Sequence, residues 1–187
     1  MSLLADLKSA KSREDIASVL GYSPKGLAFV LYKIPAATKY TSFTIPKKSG
    51  GARHIAAPIG QLKSLQARLA ALIYACRREI EEADPRKPLS HGFREGLSII
   101  TNAHEHTRRR WVFNIDLQDF FPSLNFGRVR GFFIKDKRFG LDPSAATVVA
   151  QIACHENALP QEGAVAKLVG IGGGVVSGCC NPNESRV

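Results

Sequence analysis

The sequence predicts an α+β chain, and three observations carry that expectation. An apolar stripe with helical spacing runs through Gln61–Glu82, a strand–turn–strand unit surrounds Lys47–Gly51, and one short apolar strand, Trp111–Asp116, precedes further helical segments. The 187 residues fit one large domain or two small ones, and a hydrophobic content of 44% is too high for a disordered chain. No run of about 18 apolar residues occurs, so no membrane span is predicted. The start, MSLLADLKSAK, carries charges where a secretory leader needs an apolar block, which predicts a cytoplasmic location.

Charge points toward a class of partner. Lys and Arg number 26 against 16 Asp and Glu, a formal net charge of +10. Such a balance suits a polyanion such as nucleic acid, although many small basic proteins bind none. The four cysteines, Cys76, Cys154, Cys179 and Cys180, show neither a C-x-x-C pair nor zinc-finger spacing. Reduced thiols are expected, with Cys76 and Cys154 buried as small apolar residues.

Each element follows from local chemistry. Ser12 and Asp15 form a capping-box start for a short helix ending at Gly21. Ser23-Pro24 reads as an N-cap and first helical position for a second helix to about Lys33. Together these make a helical lead-in. Tyr40–Pro46 alternates and is rich in β-formers, KKSGG supplies a turn, and Arg53–Ala57 returns, giving a hairpin with a basic tip. In Gln61–Glu82, Leu62, Leu65, Leu69, Leu72, Ile73, Cys76 and Ile80 recur three and four residues apart, with Lys63, Arg68, Arg77 and Arg78 mostly off that stripe. Asp84-Pro85 ends it. Loops at Pro85–Pro88 and His91–Gly96 lead to a helix from about Ser98 to Thr107 and a basic run, Arg108–Arg110. Trp111–Asp116 is expected to be a buried strand with Val112, Asn114 and Asp116 on one face and Trp111, Phe113 and Ile115 on the other. Asn125–Ile134 is helical, and Asp142-Pro143 opens a helix to about His155. After Gln161 the chain becomes a Gly/Val/Ala segment with neither periodicity.

Few residues stand out as chemistry. A carboxylate just past a buried strand is rigidly aimed and still reaches solvent, and Asp116 has that place. Phosphoryl transfer to a growing strand uses two magnesium ions about 3.5–4 Å apart, held by several oxygens. Asp119 falls in the next turn, where its backbone N–H is available to a triphosphate, and Phe120 and Phe121 pack beneath. On spacing alone the same residues also describe an ordinary strand end and turn. Lys47, Lys48 and Arg53 gather on the glycine turn, fit either for a triphosphate clamp or for a solvated hairpin tip. His104 and His106 lack the spacing of a helical zinc pair, and Gly172–Gly174 lacks the Lys-Ser/Thr of a P-loop.

From about Ser23 to Gln161 these pieces, in collinear order, resemble the N-terminal portion of a bacterial retron-type reverse transcriptase. FTIPKKSGGARHIAAP resembles its fingers hairpin, IGQLKSLQARL the helix after it, and HGFREGLSIITNAHEH the next block. NIDLQDFFPSL resembles the first catalytic palm motif, and ALPQ begins the motif that contacts template and nucleotide. The resemblance implies a right-hand polymerase fold: a lead-in over 1–36, fingers over 37–110, a partial palm over 111–161 and a divergent, possibly frameshifted tail over 162–187. It implies Asp116 as the catalytic metal-binding aspartate for Mg2+, and Asp119 as a backbone contact near the triphosphate. Phe121, with Phe120 beside it, would be the gate that rejects ribonucleotides. Arg53 with Lys47 or Lys48 would touch the incoming triphosphate, and Gln161 the nucleotide and template. It implies RNA-directed DNA synthesis from deoxynucleoside triphosphates, with a structured non-coding RNA as template and primer and a DNA product, in systems linked as a family to phage defence.

The sequence departs from the family after Gln161. The Ser-Pro that follows in the family is missing, and so is the Tyr-x-Asp-Asp hairpin that supplies two further carboxylates. The 187 residues alone are therefore expected to be inactive. Two other readings stand beside the polymerase: a non-catalytic RNA-binding module using the hairpin, Arg77, Arg78 and Arg108–Arg110, and a degenerate gene product.

Overall fold

A computed structural model describes residues 2–46, 50–85, 90–92, 94, 96–115 and 120–160. The lead-in is three short helices: α1 (Leu3–Ser9), α2 (Arg13–Val19) and α3 (Pro24–Ala28). Ser12 and Asp15 form the capping box that starts α2, and Ser23 caps α3, with Pro24 at its first position. Gly21 takes φ +68°, the left-handed turn that ends the α2 run. Beyond expectation, α1 precedes them. The Glu79 carboxylate accepts hydrogen bonds from the amides of Leu3 and Leu4 and from the Ser2 hydroxyl. That satisfies the open N–H groups of α1 and ties the chain's first helix to α4 (Gly60–Ala83). α3 runs straight into a π-helical turn, Phe29–Lys33, then a short 3-10 turn, Ala36–Thr38.

The hairpin is β1 (Tyr40–Pro46) paired antiparallel with β2 (Ala52–Pro58), from Tyr40 opposite Pro58 to Pro46 opposite Ala52. Gly50 and Gly51 in its turn take φ +88° and +83°, which a side chain resists. Beyond Tyr40, β1 is exposed on both faces, whereas Ile55 of β2, opposite Phe43, is buried. The rest is α5 (Ile99–Glu105), α6 (Phe120–Ser123), α7 (Phe126–Lys135) and α8 (Pro143–Ala153).

The core is helical. The α4 stripe (Leu62, Leu65, Leu69, Ile73, Cys76) packs with Leu7, Ile16 and Leu27 of the lead-in and with Phe133 and Val149 of α7 and α8. α8 lies against α2, α4 and α7. Phe132, Phe133 and Phe139 form edge-on and tilted ring contacts at one end. Burial pushes the Cys76 thiol up to about 12. Cys154 is half-buried rather than buried, because α8 ends at Ala153 and Cys154 turns away in extended conformation.

One expectation is overturned. Residues 111–115 are not a buried strand: they are irregular, with Trp111 83% and Phe113 84% exposed. Among the described residues the hairpin is the one named sheet, and it has two strands, neither of them beside this segment. Without a neighbour, strand N–H and C=O groups are left to water, and the apolar side chains have nothing to pack on.

Candidate active site

Most of the residues that sequence reasoning placed at the site, Asp116, Asp119, Lys47, Lys48 and Gln161, lie outside the described residues. Arg53 is described through its backbone, which pairs with Ile45 in the hairpin. Phe120 and Phe121 open α6, with ring centroids 5.3 Å apart in edge contact, and Phe121 leans on the helical core. Among the described residues no group of three or more His, Cys, Asp or Glu is placed to hold a metal ion.

What the structure does bring together is a set of segments that neighbour those residues in sequence. After α8, residues 155–159 double back along the linker between α6 and α7. Leu159 N–H donates to Leu124 C=O at 3.1 Å and Phe126 N–H to Asn157 C=O at 2.8 Å. The segment leading to Gln161 therefore lies beside the helix that follows Asp116. The hairpin base joins the same place, since the Tyr40 ring stacks on His155 with centroids 3.8 Å apart and planes at 29°.

Tyr40 is further held by Gln66. This fully buried side chain on α4 donates from Nε2 to Tyr40 Oη (3.0 Å) and to Ile152 C=O (2.8 Å), linking hairpin, α4 and α8. Burial pushes the Tyr40 phenol up, and the Gln66 hydrogen bond opposes part of that rise. At the far side of the hairpin base, Ile59 N–H donates to Lys39 C=O (2.9 Å) and the Lys39 ammonium to Leu31 C=O (2.7 Å).

Arg94, in the segment after α4, is tied back to that helix by an ionic cluster. Glu81 accepts from Arg77 Nε at 2.7 Å and from Arg94. Partial burial alone raises the Glu81 carboxyl, but the two guanidinium groups outweigh it and hold it below the usual range. His91, buried, hydrogen-bonds through Nδ1 to Thr101 Oγ1 at 2.8 Å. Arg77 and Arg94 are thus committed to structure. So is Arg68, which donates to the C=O groups of Leu20 and Gly21 and lies 4.8 Å from the Tyr22 ring centroid. Gln66 and His91 were missed from sequence. Gln66 falls beside Leu65 on the apolar side of α4, where a polar residue flanked by stripe positions was the available signal.

The hairpin base, the linker between α6 and α7 and residues 155–159 thus converge on one helical body, and comparison with known proteins gives that body a family. No family model matches the chain. It is similar to the retron Mx65 reverse transcriptase of Myxococcus xanthus, 41% identical over 126 residues, which is 66% of this chain and 28% of the relative. It is similar to the retron Mx162 reverse transcriptase of the same organism, 34% identical over 149 residues, 79% of this chain and 29% of the relative. The retron Ec86 reverse transcriptase of Escherichia coli is 32% identical over 149 residues, 79% of this chain and 43% of the relative. Over the matched residues the chain belongs to the retron reverse transcriptase family. It spans between 28% and 43% of the length of these relatives.

Proposed function

We propose that this chain carries the incoming-nucleotide side of an RNA-directed DNA polymerase of retron type. The observation that supports it best is the convergence of the hairpin base, the α6–α7 linker and residues 155–159 around His155 and Leu124. The three blocks that the family resemblance assigns to one site are there neighbours in space. In this reading Lys47, Lys48 and Arg53 hold the triphosphate, Asp119 offers its amide to it, and Phe121, steadied by Phe120 and the core, sits against the sugar. Gln161 meets the template and the nucleotide. The architecture is fingers and part of a palm, acting with a structured RNA in the cytoplasm, in the phage-defence setting of retrons.

A divalent ion is the reading's implied cofactor, and the donor set does not complete a site for it. Asp116 offers one carboxylate with Asp119 nearby, whereas a two-ion site draws on several oxygens. The chain's own residues bind and orient the triphosphate and leave Asp116 as one ligand awaiting others.

Ultraviolet crosslinking of a photoreactive deoxynucleoside triphosphate to the 187-residue chain tests this. Label is expected in the hairpin peptide and is expected to fall at least several-fold in Arg53→Ala. Label spread over the chain, indifferent to Arg53, would sink the triphosphate clamp. Primer extension by the same chain is expected to be undetectable.

A further inference from the structure

Before the hairpin in sequence, the run from α3 through the π-helical turn presents an unusual face. Leu27 and Val30 are buried, yet Phe29 is 50% exposed and Tyr32 54%. Lys25, Phe29 and Lys33 recur every four residues along this continuous run, so they share one side. The wide turn is defined by Ile34 N–H donating to Phe29 C=O at 3.1 Å, and such turns inside helices are frequent at functional sites. Both lysines are exposed.

The rim of this face is fixed. Tyr32 Oη donates to Gln151 Oε1 at 3.0 Å, and the Arg13 guanidinium lies 5.9 Å from the Tyr32 ring centroid. Charge around it is one-sided. Between Asp15 and Glu79 the sequence has ten Lys and Arg and no Asp or Glu. Glu14, on the neighbouring helix, is paired with Arg13 at 2.7 Å. A wet aromatic ring between two lysines, in a stretch free of carboxylates, suits a polyanion that also carries flat apolar surfaces.

We infer that Lys25, Phe29 and Lys33 form a docking site for an unpaired nucleotide of an RNA strand, its base stacked on Phe29 and its flanking phosphates on the two lysines. The inference rests on the polymerase reading for its choice of RNA. Eight residues of helix separate the lysines by about 12 Å along the axis, and their long side chains reach phosphates on either side of a seated base. Unpaired bases in loops and bulges are the parts of a structured RNA open to this contact. The site gives the lead-in its own hold on the RNA.

The test uses the 187-residue chain and a short single-stranded RNA carrying 5-iodouridine, followed by anisotropy and photocrosslinking. Crosslinks are expected in the peptide spanning 24–33. Phe29→Ala is expected to weaken binding about tenfold, while Phe29→Tyr, which keeps a stacking ring, binds as the parent does. The pair Lys25→Glu and Lys33→Glu is expected to lower the slope of log affinity against log salt by about 1.4, two phosphate contacts on a single strand. Circular dichroism guards against misfolding, and retention by Phe29→Tyr separates stacking from packing. Unchanged affinity in Phe29→Ala, or crosslinks confined to other peptides, would each overturn the site. Crosslinks confined to the hairpin would do so while leaving the polymerase reading intact. Loss of nucleotide labelling at the hairpin, with RNA still crosslinked at 24–33, would do the reverse. A Phe29→Ala variant that keeps RNA affinity but loses self-association would assign the face to protein contact instead.

Discussion

Helix α4 and the segment 111–115 are both rich in large apolar residues, and they end in opposite environments. Leu65, Leu69 and Ile73 are fully buried, whereas Trp111 and Phe113 are the most exposed of the chain's large hydrophobic residues among those described. The difference lies in the backbone. A helix satisfies its own N–H and C=O groups, so its apolar stripe is free to find the core. A strand depends on a neighbour for those groups, and apolar side chains alone do not bury it.

The comparison is most easily broken by truncating one residue from each side. Leu69→Ala is expected to cost about 2–5 kcal/mol of unfolding free energy, and Phe113→Ala less than about 0.5 kcal/mol, both read by urea denaturation. Equal losses would mean that the segment is packed after all. Next in size is Gln66→Ala, which strips Ile152 C=O and Tyr40 Oη of a buried donor and is expected to cost about 1–3 kcal/mol. Its amide exchange should rise first in the hairpin; uniform acceleration across α4 and α8 instead would show that Gln66 serves the core alone. Ser12→Ala removes half of a capping box and is expected to cost about 1 kcal/mol, with a melting temperature little changed from the parent counting against the cap.

The smallest effect is acid sensitivity of α1. The Ser2 hydroxyl and the Leu3 and Leu4 amides hold the Glu79 carboxyl below the usual range, against partial burial. A depressed folded-state value stabilises above the ordinary glutamate range and is lost as pH falls through the folded-state value. Protection of the α1 amides, taken relative to their intrinsic exchange rates, should therefore fall with acidification in the parent chain and be low and flat in Glu79→Gln.

Features set by near neighbours in sequence were readable in advance. Ser12 with Asp15, Ser23-Pro24, Asp142-Pro143 and the α4 stripe all depend on residues within a turn or two, and each lies where its chemistry puts it. The hairpin was readable from one glycine turn between two runs of β-formers, though not its register. What escaped depends on distant partners: α1 is anchored by Glu79, the Gln66 Nε2 amide donates to Tyr40 and Ile152, and 111–115 has no strand neighbour among the described residues. The candidate site was readable as a set of motifs, and the convergence of their flanking segments at His155 and Leu124 was not, because no spacing encodes it.

The Tyr40 stack on His155 gives the hairpin the mechanics of a lever. Its arm is the seven residues of β1, roughly 20 Å at strand rise, pivoting where Gln66 grips the phenol. A tilt of about 5° at that fulcrum carries the far end of β1 through roughly 2 Å, more than half a hydrogen-bond length. Where that end stands is thus set by packing around a single ring at the near end.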